Sequence, residues 1–128
     1  MLSHCSLGVS DLDASLAFYD ALLAPLGVVR VWTYEKGAGY GAPGGPDKLA
    51  IFLAEPSDRP LAAGPGFHLA LSAPNAESVH SAHAAGLSHG GSDEGPPGPR
   101  PRYGSDYYAA FLRDPDGHKL ELKVMGPS

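Results

Sequence analysis

The sequence predicts an α+β fold built from two copies of a strand–helix–three-strand unit. Three observations carry this. Two short alternating runs each open on a histidine, and seven residues after each histidine stands a helix-capping residue, Asp11 in one copy and Asn75 in the other. Both copies close on a matching strand, Lys48–Leu53 and Lys119–Val124. The 17 Gly and 13 Pro cluster at 37–46, 56–66 and 90–104, between apolar segments. At 128 residues and 43% hydrophobic, the chain suits one domain that buries roughly two-thirds of its unfolded surface.

The elements follow in order. The first strand spans His4–Val9, where period-two alternation puts Cys5, Leu7 and Val9 on one face and His4, Ser6 and Gly8 on the other. Ser10 and Asp13 then form a capping-box pair ahead of a helix bearing Leu12, Leu16, Phe18, Tyr19, Leu22 and Leu23. Strands at about Val28–Tyr34 and Gly37–Gly41 lead to Lys48–Leu53, which completes a first module at about 1–56. The second module, about 66–125, starts with His68–Ala73. Its helix runs from about Ala76 to Ala85 and ends near Gly86, a residue able to take the left-handed C′ conformation. Strands at about Ser88–Asp93 and Tyr107–Arg113 precede Lys119–Val124. The copies are offset by 64 residues at the start (4 to 68) and 71 at the end (48 to 119). The Gly/Pro stretch around Pro96–Pro101 accounts for the difference and is expected to be a loop facing the substrate.

Strand parity turns the repeat into a candidate site. Leu69 and Leu71 share a face with Phe67, opposite His68, Ala70 and Ser72; Leu120, Leu122 and Val124 lie opposite Lys119, Glu121 and Lys123. His4, His68 and Glu121 therefore each fall on the face turned from the apolar one. If the sheets curve about one another, those faces line a cup. Two neutral imidazoles and a carboxylate form a ligand set for a divalent transition metal, with positions left open for water or substrate. The other histidines carry less. His80 and His83 read as solvated or half-buried helix positions, His89 and His118 as loop or turn residues, and Cys5 as a small buried side chain.

Composition excludes several roles. A net charge of −5 with no basic run gives nucleic-acid binding no support. No apolar run approaches the roughly 18 residues of a membrane span. The opening residues lack the features of a secretory signal, and a lone Cys5 fits a reducing compartment, so a cytoplasmic location is expected. The glycines at 37–41 and 44–45 do not precede a helix, as a phosphate loop would.

Two end motifs are more specific. The opening, with Gly8-Val9-Ser10-Asp11-Leu12 and Ser15-Leu16-Ala17-Phe18-Tyr19-Asp20, resembles that of the vicinal oxygen chelate superfamily, the glyoxalase / bleomycin resistance / extradiol dioxygenase group. The close, Asp114-Pro115-Asp116-Gly117-His118-Lys119-Leu120-Glu121, resembles that family's turn into its last strand. Arg100-Pro101-Arg102-Tyr103 and Tyr107-Tyr108-Ala109-Ala110-Phe111 resemble a glyoxalase-like bacterial subgroup. The resemblance implies tandem βαβββ modules with curved mixed sheets enclosing a metal-binding cup. It implies one divalent ion (Fe, Mn, Ni or Zn) on His4, His68 and Glu121, a small vicinally oxygenated substrate, and a homodimer with its sites within a chain or across the interface. Lyase, isomerase or dioxygenase chemistry follows, in which the ion stabilises an anion on neighbouring oxygens. Glyoxalase I-type members place a second carboxylate where the repeat puts Ala50; Glu55 lies beyond the strand's end. Three ligands without that acid resemble the 2-His-1-carboxylate set of the dioxygenase members. Glu121 and Tyr108 are the catalytic candidates. Arg100, Tyr103, Tyr107, Trp32 and Phe52 are the substrate-binding ones, with Arg102 as an alternative anion holder. A non-catalytic antibiotic-binding protein of the same fold is the alternative function, and a metal-carrying regulatory or scaffold domain a third.

Overall fold

The computed structural model describes residues 1–55 and 60–125, and within them both copies of the unit form. The first copy comprises β1 (Cys5–Val9), α1 (Leu12–Leu23), a 3-10 turn over Ala24–Leu26, β2 (Val29–Tyr34), β3 (Gly37–Gly41) and β4 (Leu49–Leu53). The second comprises β5 (Leu69–Ala73), α2 (Ala76–Ser88), β6 (Ser92–Pro99), β7 (Tyr108–Arg113) and β8 (Lys119–Val124). Each copy makes a four-stranded mixed sheet, in the orders β1-β4-β3-β2 and β5-β8-β7-β6, curved but not closed. The parallel pairs β1–β4 and β5–β8 have equivalent registers. Ser6 stands opposite Ala50, and Ala70 opposite Glu121. Ala50 thus occupies in the first sheet the place Glu121 holds in the second. The expected end of the first module, 56, lies outside the described residues.

Three local expectations are corrected. The Ser10–Asp13 capping box does not form. Asp11 is the N-cap, accepting from the Ala14 amide, while Ser10 donates its hydroxyl (2.6 Å) and its amide (3.1 Å) to Asp116. A carboxylate from the other module outcompetes the local partner because a charged acceptor makes the stronger hydrogen bond. Second, α2 continues two residues past Gly86 to Ser88, and the left-handed residue is Gly90 (φ 98°). Gly86 is needed inside the helix, since a Cβ there would lie 2.5 Å from Leu112 and 3.1 Å from Leu22. Third, the Gly/Pro stretch expected as a loop is largely strand. β6 runs to Pro99 as an edge strand with two register shifts against β7. Proline lacks an N–H to donate, and an edge strand tolerates it because one row of its backbone groups has no ladder partner.

A single core joins the two copies. Leu7, Val9 and Ile51 from the first sheet meet Leu112, Leu120 and Leu122 from the second, with Phe18, Tyr19 and Leu22 of α1 and Val79 of α2 in the same cluster. Burying each of the larger side chains contributes about 1.5–3 kcal/mol. The copies are also clasped at the β7–β8 turn. Tyr19 donates its hydroxyl to Asp114 at 2.6 Å, and His118, only 4% exposed, donates from Nε2 to the Gly8 carbonyl at 2.8 Å. No helix among the described residues is long and apolar enough to cross a membrane.

Candidate functional site

The face of the second sheet turned from the core carries the candidate site. Glu121, central on β8, has Phe111 of β7 on one side and Ala70 of β5 on the other. It is 2% exposed. A carboxylate so buried is costly unless hydrogen-bonded, and both of its oxygens have partners. Oε1 lies 2.8 Å from Nε2 of His68, just before β5, and Oε2 accepts from the Tyr107 hydroxyl at 2.5 Å. Burial first, then the Glu121 carboxylate, pushes the Tyr107 hydroxyl up to about 12, so it remains a donor at neutral pH. The His68 ring meets Phe111 edge-on at 5.8 Å.

Cations lie over the aromatic neighbours of this carboxylate. Lys123 lies over Tyr107 at 4.7 Å, and Arg100 and Lys119 lie over Phe111 at 5.7 and 5.5 Å. Tyr103 is 60% exposed and packs against Tyr107 with ring centroids 5.3 Å apart. Arg100 is not a free loop side chain. It donates to the carbonyls of Pro96 (2.7 Å), Gly98 (3.1 Å) and Pro99 (3.4 Å).

The structure brings His68 and Glu121 together but does not add His4. His4 is exposed ahead of β1, with Nδ1 beside the Ser3 hydroxyl at 3.0 Å. Among the described residues no group of three or more His, Cys, Asp or Glu side chains is placed to hold a metal. The cause is architectural. The apolar faces of both sheets are spent on one shared core, so the His4 and Glu121 faces are both turned away from it. Parity chose the faces correctly; their convergence within one chain is a separate, global property. His68 and Glu121 still fit an ion between them. An imidazole nitrogen and a carboxylate oxygen are both ligand types for a divalent transition metal, and these two side chains would hold it.

Tyr108, expected as a catalytic candidate, does not join His68 and Glu121. It follows Tyr107 and so points to the other face, toward the helix side, where its hydroxyl meets Nε2 of His80 at 2.6 Å. Sequence parity from Glu121 and Phe111 already separates the two tyrosines. His83 is a nearly buried helix residue paired with Asp93 at 3.0 Å. That contact, and more strongly the Gly95 amide, holds the Asp93 carboxyl below its usual range.

The corresponding face of the first sheet is aromatic. Trp32 packs on Tyr34 and Phe52 with ring centroids 6.0 and 5.8 Å apart, and Tyr34 is 52% exposed. Gly39 lets the indole lie against the strand, because a Cβ there would collide with Trp32. Trp32 and Phe52 therefore form an apolar wall on a different sheet from Glu121.

Comparison with known proteins places the fold. The Glyoxalase/Bleomycin resistance protein/Dioxygenase superfamily model matches residues 1–122. A glyoxalase/bleomycin resistance protein from Albidiferax ferrireducens is 38% identical, covering 97% of this chain and 98% of that one, with a TM-score of 0.79. A glyoxalase-related enzyme from Fulvimarina pelagi (23% identity, 95% and 86% covered, TM-score 0.69) shares the fold. So does the fosfomycin resistance protein FosX from Listeria monocytogenes (20% identity, 99% and 94% covered, TM-score 0.69). No curated protein matches the chain. On the family match and the 38% relative, the chain belongs to the glyoxalase/bleomycin resistance protein/dioxygenase superfamily.

Proposed function

We propose that the protein is a divalent-metal-dependent enzyme acting on a small vicinally oxygenated substrate, by lyase, isomerase or dioxygenase chemistry. The observation that carries this is the contact of His68 Nε2 with the buried Glu121 Oε1 at 2.8 Å, a nitrogen and a carboxylate oxygen converging on the sheet face turned from the core. His68 and Glu121 hold the ion, and His4 completes the set from a second copy of the chain, since it does not join them within one. When bound, the ion supplies Lewis-acid stabilisation of negative charge on two adjacent substrate oxygens.

The chain's own residues do the rest. Tyr107 spends its one hydroxyl proton on Glu121 and holds the carboxylate in place. Trp32 and Phe52 exclude water from the apolar side. The first sheet offers Ala50 and Phe52 where a general base would stand, which favours chemistry without carbon-to-carbon proton transfer. A non-catalytic small-molecule or antibiotic-binding role in the same cytoplasmic setting is the second reading, favoured by the open aromatic face of the first sheet.

The test is metal content after anaerobic reconstitution with Fe(II), Mn(II), Ni(II) or Zn(II). Wild type takes up stoichiometric metal; His68→Ala and Glu121→Ala lose it. Chains carrying His4→Ala and His68→Ala each fail alone, yet mixed dimers regain one intact site. Absence of metal in the wild type refutes the enzymatic reading, and mixed dimers without metal refute the shared site.

A further inference from the structure

Beside Glu121, a groove of about 340 Å³ runs between the end of β6 and the start of β8, lined by Glu94, Arg100, Arg102, Tyr103, Phe111 and Lys119 among others. Its charge is unbalanced. Glu94 is engaged by Arg113 at 3.4 Å, and among the described residues none of Arg100, Arg102 and Lys119 has a carboxylate within salt-bridge distance.

Arg100 is the better organised of the three. The carbonyls of Pro96, Gly98 and Pro99 engage Nη1 and Nη2 and fix the guanidinium plane. The guanidinium lies close against the strand: a Cβ at Gly95 or Gly98 would stand 3.3 or 3.4 Å from its nitrogens. One edge of the guanidinium is therefore spent on the strand. Nε has no partner among the described residues and Nη2 has a second hydrogen to give, so donors remain for a carboxylate. Lys119 faces the same ring, Phe111, at 5.5 Å, and supplies a mobile second charge. Lys119 and Glu121 share a face two residues apart on β8, about 7 Å along a strand.

We propose that this groove binds a carboxylate carried by the substrate, with Arg100 as a fixed fork and Lys119 as the adjustable cation that selects for negative charge. The proposal deepens the enzymatic reading by naming the substrate class. It rests on that reading only for where the reacting oxygens lie, a short chain or one ring away at Glu121.

The test uses metal-free, ¹⁵N-labelled full-length protein titrated with benzoate, its neutral counterpart benzamide, and inorganic phosphate. Benzoate shifts the amides of Gly95, Phe111 and Lys119 saturably, while benzamide and phosphate bind at least tenfold more weakly. Lys119→Met weakens benzoate about tenfold with the native circular dichroism retained, and Arg100→Lys, which keeps the charge but loses the fork, weakens it as well. Equal affinity for benzamide, or an unchanged affinity in Lys119→Met, overturns the proposal; tighter binding of phosphate overturns the choice of carboxylate. Metal uptake is measured separately. Failure of Mn(II), Fe(II), Ni(II) and Zn(II) uptake alike with benzoate binding intact refutes the metal reading alone, and uptake without benzoate binding refutes this proposal alone.

Discussion

Replacing Tyr19 with Phe removes a single oxygen from the joint between the two modules. Tyr19 is fully buried on α1 and donates to Oδ2 of Asp114, which is 3% exposed at the β7–β8 turn. The other oxygen, Oδ1, already accepts the amides of Asp116 (2.9 Å) and His118 (2.8 Å). Burial first, then the Asp114 charge, pushes the Tyr19 hydroxyl well above its ordinary value, so it donates at any working pH. In Tyr19→Phe the ring still fills its place, but Oδ2 loses its donor in a water-poor setting. A hydrogen bond to a charged group contributes about 1.5–3 kcal/mol, and that is the expected loss. At about 2.1 cal/mol/K per residue, 128 residues give an unfolding entropy near 0.27 kcal/mol/K, so the melting temperature falls by about 6–11 °C. Thermal melts by circular dichroism, with urea unfolding to check that the slope is unchanged, measure this. A drop of less than about 2 °C refutes the idea that this bond clasps the modules.

Two further expectations concern packing and charge. Gly86→Ala gains about 1 kcal/mol of helix propensity, but its Cβ meets Leu112 at 2.5 Å, and overpacking costs about 1–3 kcal/mol. A net loss of up to about 2 kcal/mol in urea unfolding is expected, and a gain shows that α2 and β7 have room to separate. Asp93, held below its ordinary value of 3.8 by the Gly95 amide first and the His83 contacts after it, binds a proton less readily folded than unfolded. Its contribution is therefore fully present above about pH 4 and fades as the pH falls through its lower folded value. Asp93→Asn should flatten the acid limb of the stability–pH curve; an unchanged limb refutes the assignment.

Local pattern was legible in the sequence wherever a side chain's direction depends only on its neighbours along the strand. Alternation selected the buried faces of β1 and β8 and placed His68 with Glu121, and the repeat put Ala50 in register with Glu121. What escaped it was decided between segments distant in sequence. Ser10 turned to Asp116, 106 residues away, over Asp13 at hand, and Gly86 was required by Leu112 rather than by the end of a helix. The Gly/Pro run of β6 reads as loop because its own residues disfavour a strand. Its order comes from β7 alongside and from the Arg100 guanidinium, which satisfies carbonyls in a stretch where prolines supply no N–H.

The two modules repeat in backbone but divide their chemistry, and the shared core explains how they can. Each sheet commits one face to the common interior, so substitutions on the other face leave the core intact. On the first sheet that face has become uncharged and aromatic, through Trp32, Phe52 and Ala50. On the second it holds a buried carboxylate bonded to a histidine and a tyrosine, with three cations over the neighbouring rings. Neither face alone combines the charged groups with the apolar wall. Because the faces are turned from the core in one chain, a second copy offering its first sheet to this chain's second sheet would unite the two halves. His4, stranded at the edge of the aromatic sheet, is the side chain that the proposed pairing would bring toward His68 and Glu121.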